Sequence, residues 1–188
     1  MPIPGILASQ ISGHLWAPSG AYDSLASVTL SASASSIIFA GIPSGYKHLQ
    51  IRFNARGAGG AWNFLTFNGD TTQANYYAHE LAGNGSSAYA NAYAGGASPV
   101  GIQLFVTYGF SNIFTGGVID ILDYTSTSKN KTVRCLNGWD GNGTTPPGEV
   151  RLTSGLWSKS PEAITSLSLV TNGGDYQQYS SFALYGVK

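Results

Sequence analysis

Charge is what this chain has least of. Asp, Glu, Lys and Arg make up only 10% of its 188 residues, nine acidic against nine basic, where an ordinary globular chain carries ~25%. Phosphate backbones are held mainly by Lys and Arg, so a surface this poor in cations is not expected to take nucleic acid. The same scarcity removes self-repulsion, and low net charge favours association. The balance points to a component that works with much of its surface against other protein.

Cysteine is nearly as rare. Cys135 alone cannot form an internal disulfide, and its place in the run Thr132-Val133-Arg134-Cys135-Leu136 predicts a small buried hydrophobe. No run of ~18 apolar residues occurs, so no membrane span is expected. Met1 to Leu7 lacks a basic n-region, so no secretory leader is expected either. Helical periodicity is missing throughout.

Converging reactive groups are also scarce. Asp120 and Asp123 are three apart, so in a regular strand they face opposite ways and cannot form a glycosidase pair. Glu149 and Glu162 flank a strand on turn-like ground, where solvation is expected. His14, His48 and His79 lack metal-ligand spacing, and His48 falls on the outward face of its strand. Asp140-Gly141-Asn142-Gly143-Thr144 has some look of a calcium loop, without the Asp-x-Asp/Asn core or the distal Glu. There is no nucleophile elbow and no phosphate loop. The expectation is a protein with no catalytic set, no metal and no cofactor, and not an enzyme.

What the chain does have is alternation. From Lys47 to Arg56, Leu49, Ile51, Phe53 and Ala55 fall on one side and His48, Gln50, Arg52, Asn54 and Arg56 on the other. That period of two marks a strand with one face on a core. Trp62 to Phe67 follows after a Gly-rich connection. Further strands are read at 22–30, 37–40, 75–81, 100–106, 114–124, 132–139, 149–157, 164–170 and 181–187. Asn-Gly pairs at 68, 84, 137, 142 and 172 are read as positive-φ turns. Roughly ten strands at this spacing predict an all-β antiparallel sandwich of jelly-roll type. One domain is expected over 22–188, behind an irregular N-terminal arm over 1–21 that is broken by Pro2, Pro4, Gly5, Gly13, Pro18 and Gly20.

Two regions are singled out as partner contacts. The arm is apolar despite its irregularity, which makes Ile3, Ile6, Leu7 and Trp16 candidates; it either tucks along its own sheet or reaches onto a partner. Residues 83–98 read as a long loop rich in Gly, Ala and Ser, in which Tyr89 and Tyr93 are the only large side chains. Those two tyrosines either form a contact surface or fold back onto the sheet. Trp62, Trp139 and Trp157, with Tyr76, Tyr77, Tyr89 and Tyr93, admit a sugar-stacking platform, though core or interface is the commoner fate of such residues.

Several stretches resemble a family of small virion proteins of tailed bacteriophages: PGILASQISG (4–13), KHLQIR (47–52), FNGDTTQANYYAHELAGNGSS (67–87), GGVIDILDYTSTSKNKTVR (116–134), LTSGLW (152–157), AITSLSL (163–169) and YSSFALYGVK (179–188). They are turn-and-strand signatures spread over nearly the whole chain and carry no chemistry. The resemblance implies a trimeric jelly-roll protein built into the particle, as a head-decoration (cement) protein or a minor tail or fibre protein. The absence of a coiled coil, a collagen-like shaft or a second module favours the capsid surface. The partners then expected are the major capsid protein and copies of itself, with assembly in the host cytoplasm. A tail location would instead imply a host surface glycan.

Overall fold

The computed structural model describes residues 20–93, 101–141, 143, 147–159 and 161–188. Twelve strands run through them: β1 (Tyr22–Thr29), β2 (Ser36–Ala40), β3 (His48–Ala55), β4 (Ala61–Phe67), β5 (Tyr76–Gly83), β6 (Ala88–Tyr93), β7 (Ile102–Thr107), β8 (Thr115–Leu122), β9 (Lys131–Asp140), β10 (Gly148–Trp157), β11 (Ser166–Asn172) and β12 (Ser181–Val187). A 3₁₀ turn, Gln73–Asn75, precedes β5. These strands pair antiparallel throughout. They build an eight-stranded sheet in the order β1-β12-β3-β8-β9-β10-β5-β6 and a four-stranded sheet in the order β2-β11-β4-β7. The chain is an antiparallel β-sandwich.

β3 shows why. Leu49, Ile51, Phe53 and Ala55 are buried between the sheets, as their alternation predicts. Phe53 stacks on Phe105 of β7 at 4.1 Å between ring centroids, and Phe67 of β4 meets Trp157 of β10 at 5.3 Å. These ring pairs stitch one sheet to the other, and such contacts add to the area they bury. Cys135 belongs to the same core and is fully buried. Desolvation pushes its thiol up to about 12.

The Gly-rich connection after β3 does not close a hairpin. It carries the chain across to the small sheet, where β4 pairs with β7 and β11, while β3 pairs with β12 and β8. Asn68 and Gly69 both adopt positive φ (49° and 65°), as a tight turn needs. The Asn68 side chain also donates to the Ala163 carbonyl (2.8 Å) and accepts from the Thr165 N–H (2.9 Å).

Two local readings are corrected. Asn137-Gly138 is not a turn: β9 runs on to Asp140, Gly138 sits opposite Val150, and the Asn137 amide reaches the Leu104 carbonyl across the sandwich at 3.2 Å. A tertiary hydrogen bond and continued pairing override the turn tendency of the dipeptide. Residues 83–98 are not one long loop either. Their Ala88–Tyr93 portion is strand β6, paired in register with β5 from Gly83↔Ala88 to Ala78↔Tyr93. Alternating Ala and Tyr make a weak local signal, and the strand forms because β5 offers it a partner.

Candidate functional site

β10 runs with its polarity reversed. Glu149, Arg151 and Thr153 point between the sheets, while Val150 and Leu152 point to solvent. Arg151 is only 2% exposed and Glu80, from the neighbouring β5, only 4%. The Arg151 guanidinium donates to Glu80 Oε2 through Nη1, and to Glu149 Oε1 through Nη2 (2.6 Å) and Nε (3.0 Å). Trp62, on β4 of the opposite sheet, lies under it at 4.6 Å. Burial opposes the guanidinium's charge, but the bonds to Glu80 and Glu149 outweigh burial and hold its pKa above the ordinary arginine value.

β6 completes this cluster. Tyr93 OH and Asn91 Nδ2 each donate to Glu80 Oε1 at 2.8 Å, and Tyr89 OH donates to Glu149 Oε2. Burial first and the Glu149 bond second push the Tyr89 phenol up to about 12; burial and the Glu80 bond raise Tyr93 in the same sense. Both phenols therefore remain donors at neutral pH. Every carboxylate oxygen of Glu80 and Glu149 is thus occupied by a donor from the protein itself. A general acid or base needs a free oxygen facing substrate, and this pair presents none. The cluster pins β5, β6 and β10 to one another and to Trp62.

The reverse side of the same strands is apolar and open. Register places Leu81 of β5, Leu152 of β10, Leu136 of β9 and Val118 of β8 in one cross-strand row, and Val150 lies in the adjacent row. Leu81, Leu136, Val150 and Leu152 are 57%, 58%, 58% and 50% exposed. Together they present ~400 Å² of apolar surface, the size at which a patch on a monomer is commonly functional. This row is the candidate site, and the ionic cluster beneath it is its rigid backing.

Comparison with known proteins returns nothing: no family model, no curated protein and no solved structure matches the chain.

Of the sequence-derived candidates, Ile3, Ile6, Leu7, Trp16 and His14 lie outside the described residues. Tyr89 and Tyr93 are half-buried and folded back onto the sheet through their phenols. Glu149, expected in solvent, is instead held by Arg151 and Tyr89. Glu162 pairs with Lys159 at 3.1 Å and accepts from Asn68. Asp120 accepts from Gln50 Nε2 at 2.8 Å, and Asp123, in a positive-φ turn, accepts from Lys129 at 2.9 Å. His48 accepts the Asp123 N–H through Nδ1. In the calcium-like segment, residues 142 and 144–146 lie outside the described residues.

The aromatics form no platform. Trp157 and Tyr76 are core residues, Trp139 packs against Tyr108 at 4.3 Å, and Tyr77 stands on the outward face of β5 opposite Leu156. Sequence reasoning missed Glu80, Arg151 and the aliphatic row. The signal was available in two strands: Glu80 shares a parity with Ala78 and Ala82 while Leu81 shares one with His79, and Arg151 likewise alternates against Val150 and Leu152.

Proposed function

We propose that this chain is a structural protein of a tailed-bacteriophage virion, a jelly-roll decoration (cement) protein on the capsid surface. Its partners are the major capsid protein and copies of itself. One observation carries the reading: four large aliphatic side chains stand exposed in a block on strands locked from behind by a buried ion cluster. Such a rigid apolar surface suits contact with protein more than turnover of a substrate. The low charge of the chain and its resemblance to virion proteins point the same way. A protein that binds the assembled shell and not its separated subunits shifts the balance toward the closed particle by mass action.

Copy number in purified virions tests this. Hundreds of copies on the shell support it; a handful at the tail overturns it. Leu136→Asp with Leu152→Asp should abolish binding to undecorated capsids while leaving the circular dichroism spectrum unchanged.

A second reading, a tail-associated receptor- or glycan-binding module, draws on one feature. The exposed Arg52 guanidinium lies between the rings of Tyr22 and Tyr185, at 5.2 and 4.9 Å, on the same solvent face. Glycan-array binding that disappears in Tyr22→Ala with Tyr185→Ala would favour it over the capsid role.

A further inference from the structure

The four edges of the two sheets are not alike. β1 is bulged between Ser24 and Ala26 and carries Asp23. β2 has only five residues. β7 pairs with β4 through a register shift at Asn63/Phe64, and most of its side chains are buried. Bulges, charge and shortness are the usual devices that keep a sheet edge from pairing with another chain. β6 has neither a bulge nor a charge, and it is one residue longer than the likewise uncharged β2. Its six residues pair with β5 without a shift and include no proline and no charge, and among the described residues β5 is its one neighbour. Ala88, Ala90 and Ala92 face solvent, while Tyr89, Asn91 and Tyr93 anchor the strand to Glu149 and Glu80. A straight, uncharged edge held rigid from one side is a template for strand addition.

We propose that β6 takes the β6 of a second copy, antiparallel, about a two-fold axis normal to the sheet. Residues opposite each other in such a pair must point to the same face. The axis therefore passes through Ala90 or Asn91, which sets alanine against alanine outside and the Tyr/Asn set against itself inside. No like charges meet across the seam.

The apolar face argues for a second copy over a foreign strand. Alone, the row of one chain presents ~400 Å² of apolar surface that ends at the β6 edge. Pairing at β6 continues the row Leu136–Leu152–Leu81–Ala90 through the axis into its copy, on the same side of one sixteen-stranded sheet. The apolar surface on that side is then continuous across the pair and twice as large. This deepens the decoration reading and rests on it for what the doubled surface contacts. A two-fold pair also departs from the trimer that the sequence resemblance implies.

The test is the mass of the full chain in solution, by sedimentation and native mass spectrometry. Twice the chain mass is expected, falling two-fold in Ala90→Lys with Ala92→Lys, whose lysines would crowd the seam from exposed positions; Ala90→Thr should leave the pair intact. Hydrogen exchange on the unaltered chain gives a second readout, with protection of the β6 amides that rises with concentration. A monomer at all concentrations, a trimer, a dimer indifferent to the lysines, or β6 protection independent of concentration would each overturn the pairing. A chain that never pairs yet decorates capsids would sink this inference and leave the decoration reading standing. A β6 pair absent from virions would do the reverse.

Discussion

Arg151 and Leu152 are consecutive in β10 and stand on the wrong sides of the sheet for their chemistry: the guanidinium is inside at 2% exposure and the isobutyl group outside at 50%. Strand geometry ties the two together, since a one-residue slip would exchange them. The register is set by what meets the guanidinium inside, namely Glu80, Glu149 and the face of Trp62. The exposed leucine follows from the buried arginine.

Replacing the two residues should therefore give opposite results. Arg151→Met leaves the buried Glu80 and half-buried Glu149 carboxylates without their cation and should lower stability by ~3–5 kcal/mol. Leu152→Ser touches only solvent-facing surface and should change it by no more than ~0.5 kcal/mol. Urea unfolding followed by tryptophan fluorescence separates the two. Equal losses would mean that the exposed row is part of the core.

Tyr89→Phe removes the donor to the half-buried Glu149 Oε2 and should cost ~1 kcal/mol, the lower end of the range for an acceptor left unsatisfied. The phenol's folded pKa, about 12, lies above the unfolded value of 10.0. Its contribution is fully present below pH ~10 and is lost as pH rises through the folded value. Tyr89→Phe, with no phenol to ionise, should flatten the fall of stability between pH ~10 and ~12. Ultraviolet titration of tyrosinate, wild type against Tyr89→Phe, should show one late-titrating group removed.

Acid should act at Asp70. Burial works against its charge, but bonds from Trp157 Nε1 (2.7 Å), Asn75 Nδ2 (2.8 Å) and the Thr72 N–H (3.0 Å) outweigh burial and hold its pKa below the ordinary carboxylate value of 3.8. A depressed folded pKa contributes stability above the unfolded value, lost as pH falls through the folded one, so the window lies below pH ~4. Asp70→Asn should flatten the stability profile in that window. An unchanged slope would assign acid sensitivity to other carboxylates.

Cys135 should be silent to thiol reagents. It is fully buried, with its thiol pushed up to about 12, and reaction requires an exposed thiolate. Labelling should proceed at the rate of global opening and accelerate in parallel with unfolding across a urea series. Fast labelling in native buffer would show local opening of β9.

The legibility of this fold divides along its strands. β3 could be read residue by residue, because hydrophobic parity alone separates its two faces. β10 could not be read that way, because parity was present but inverted, and an Arg on the inner face makes sense only with Glu80 seventy-one positions away in sequence. β6 reads as loop in the sequence because its alanines and tyrosines carry little intrinsic signal, while the Glu80 and Glu149 acceptors and the β5 backbone that hold it are tertiary. Asn137-Gly138 has turn chemistry and no turn, since the strands on either side kept pairing through it.

By itself the sequence determined that this is an antiparallel β chain with a buried thiol and little charge, because alternation and composition are local properties. Which strands share a sheet, which strand stands at its edge among the described residues and which aliphatic side chains are turned outward were decided only by the tertiary structure. Those outcomes depend on partners distant in the chain, and a strand's free edge or reversed face exists only once its neighbours are in place.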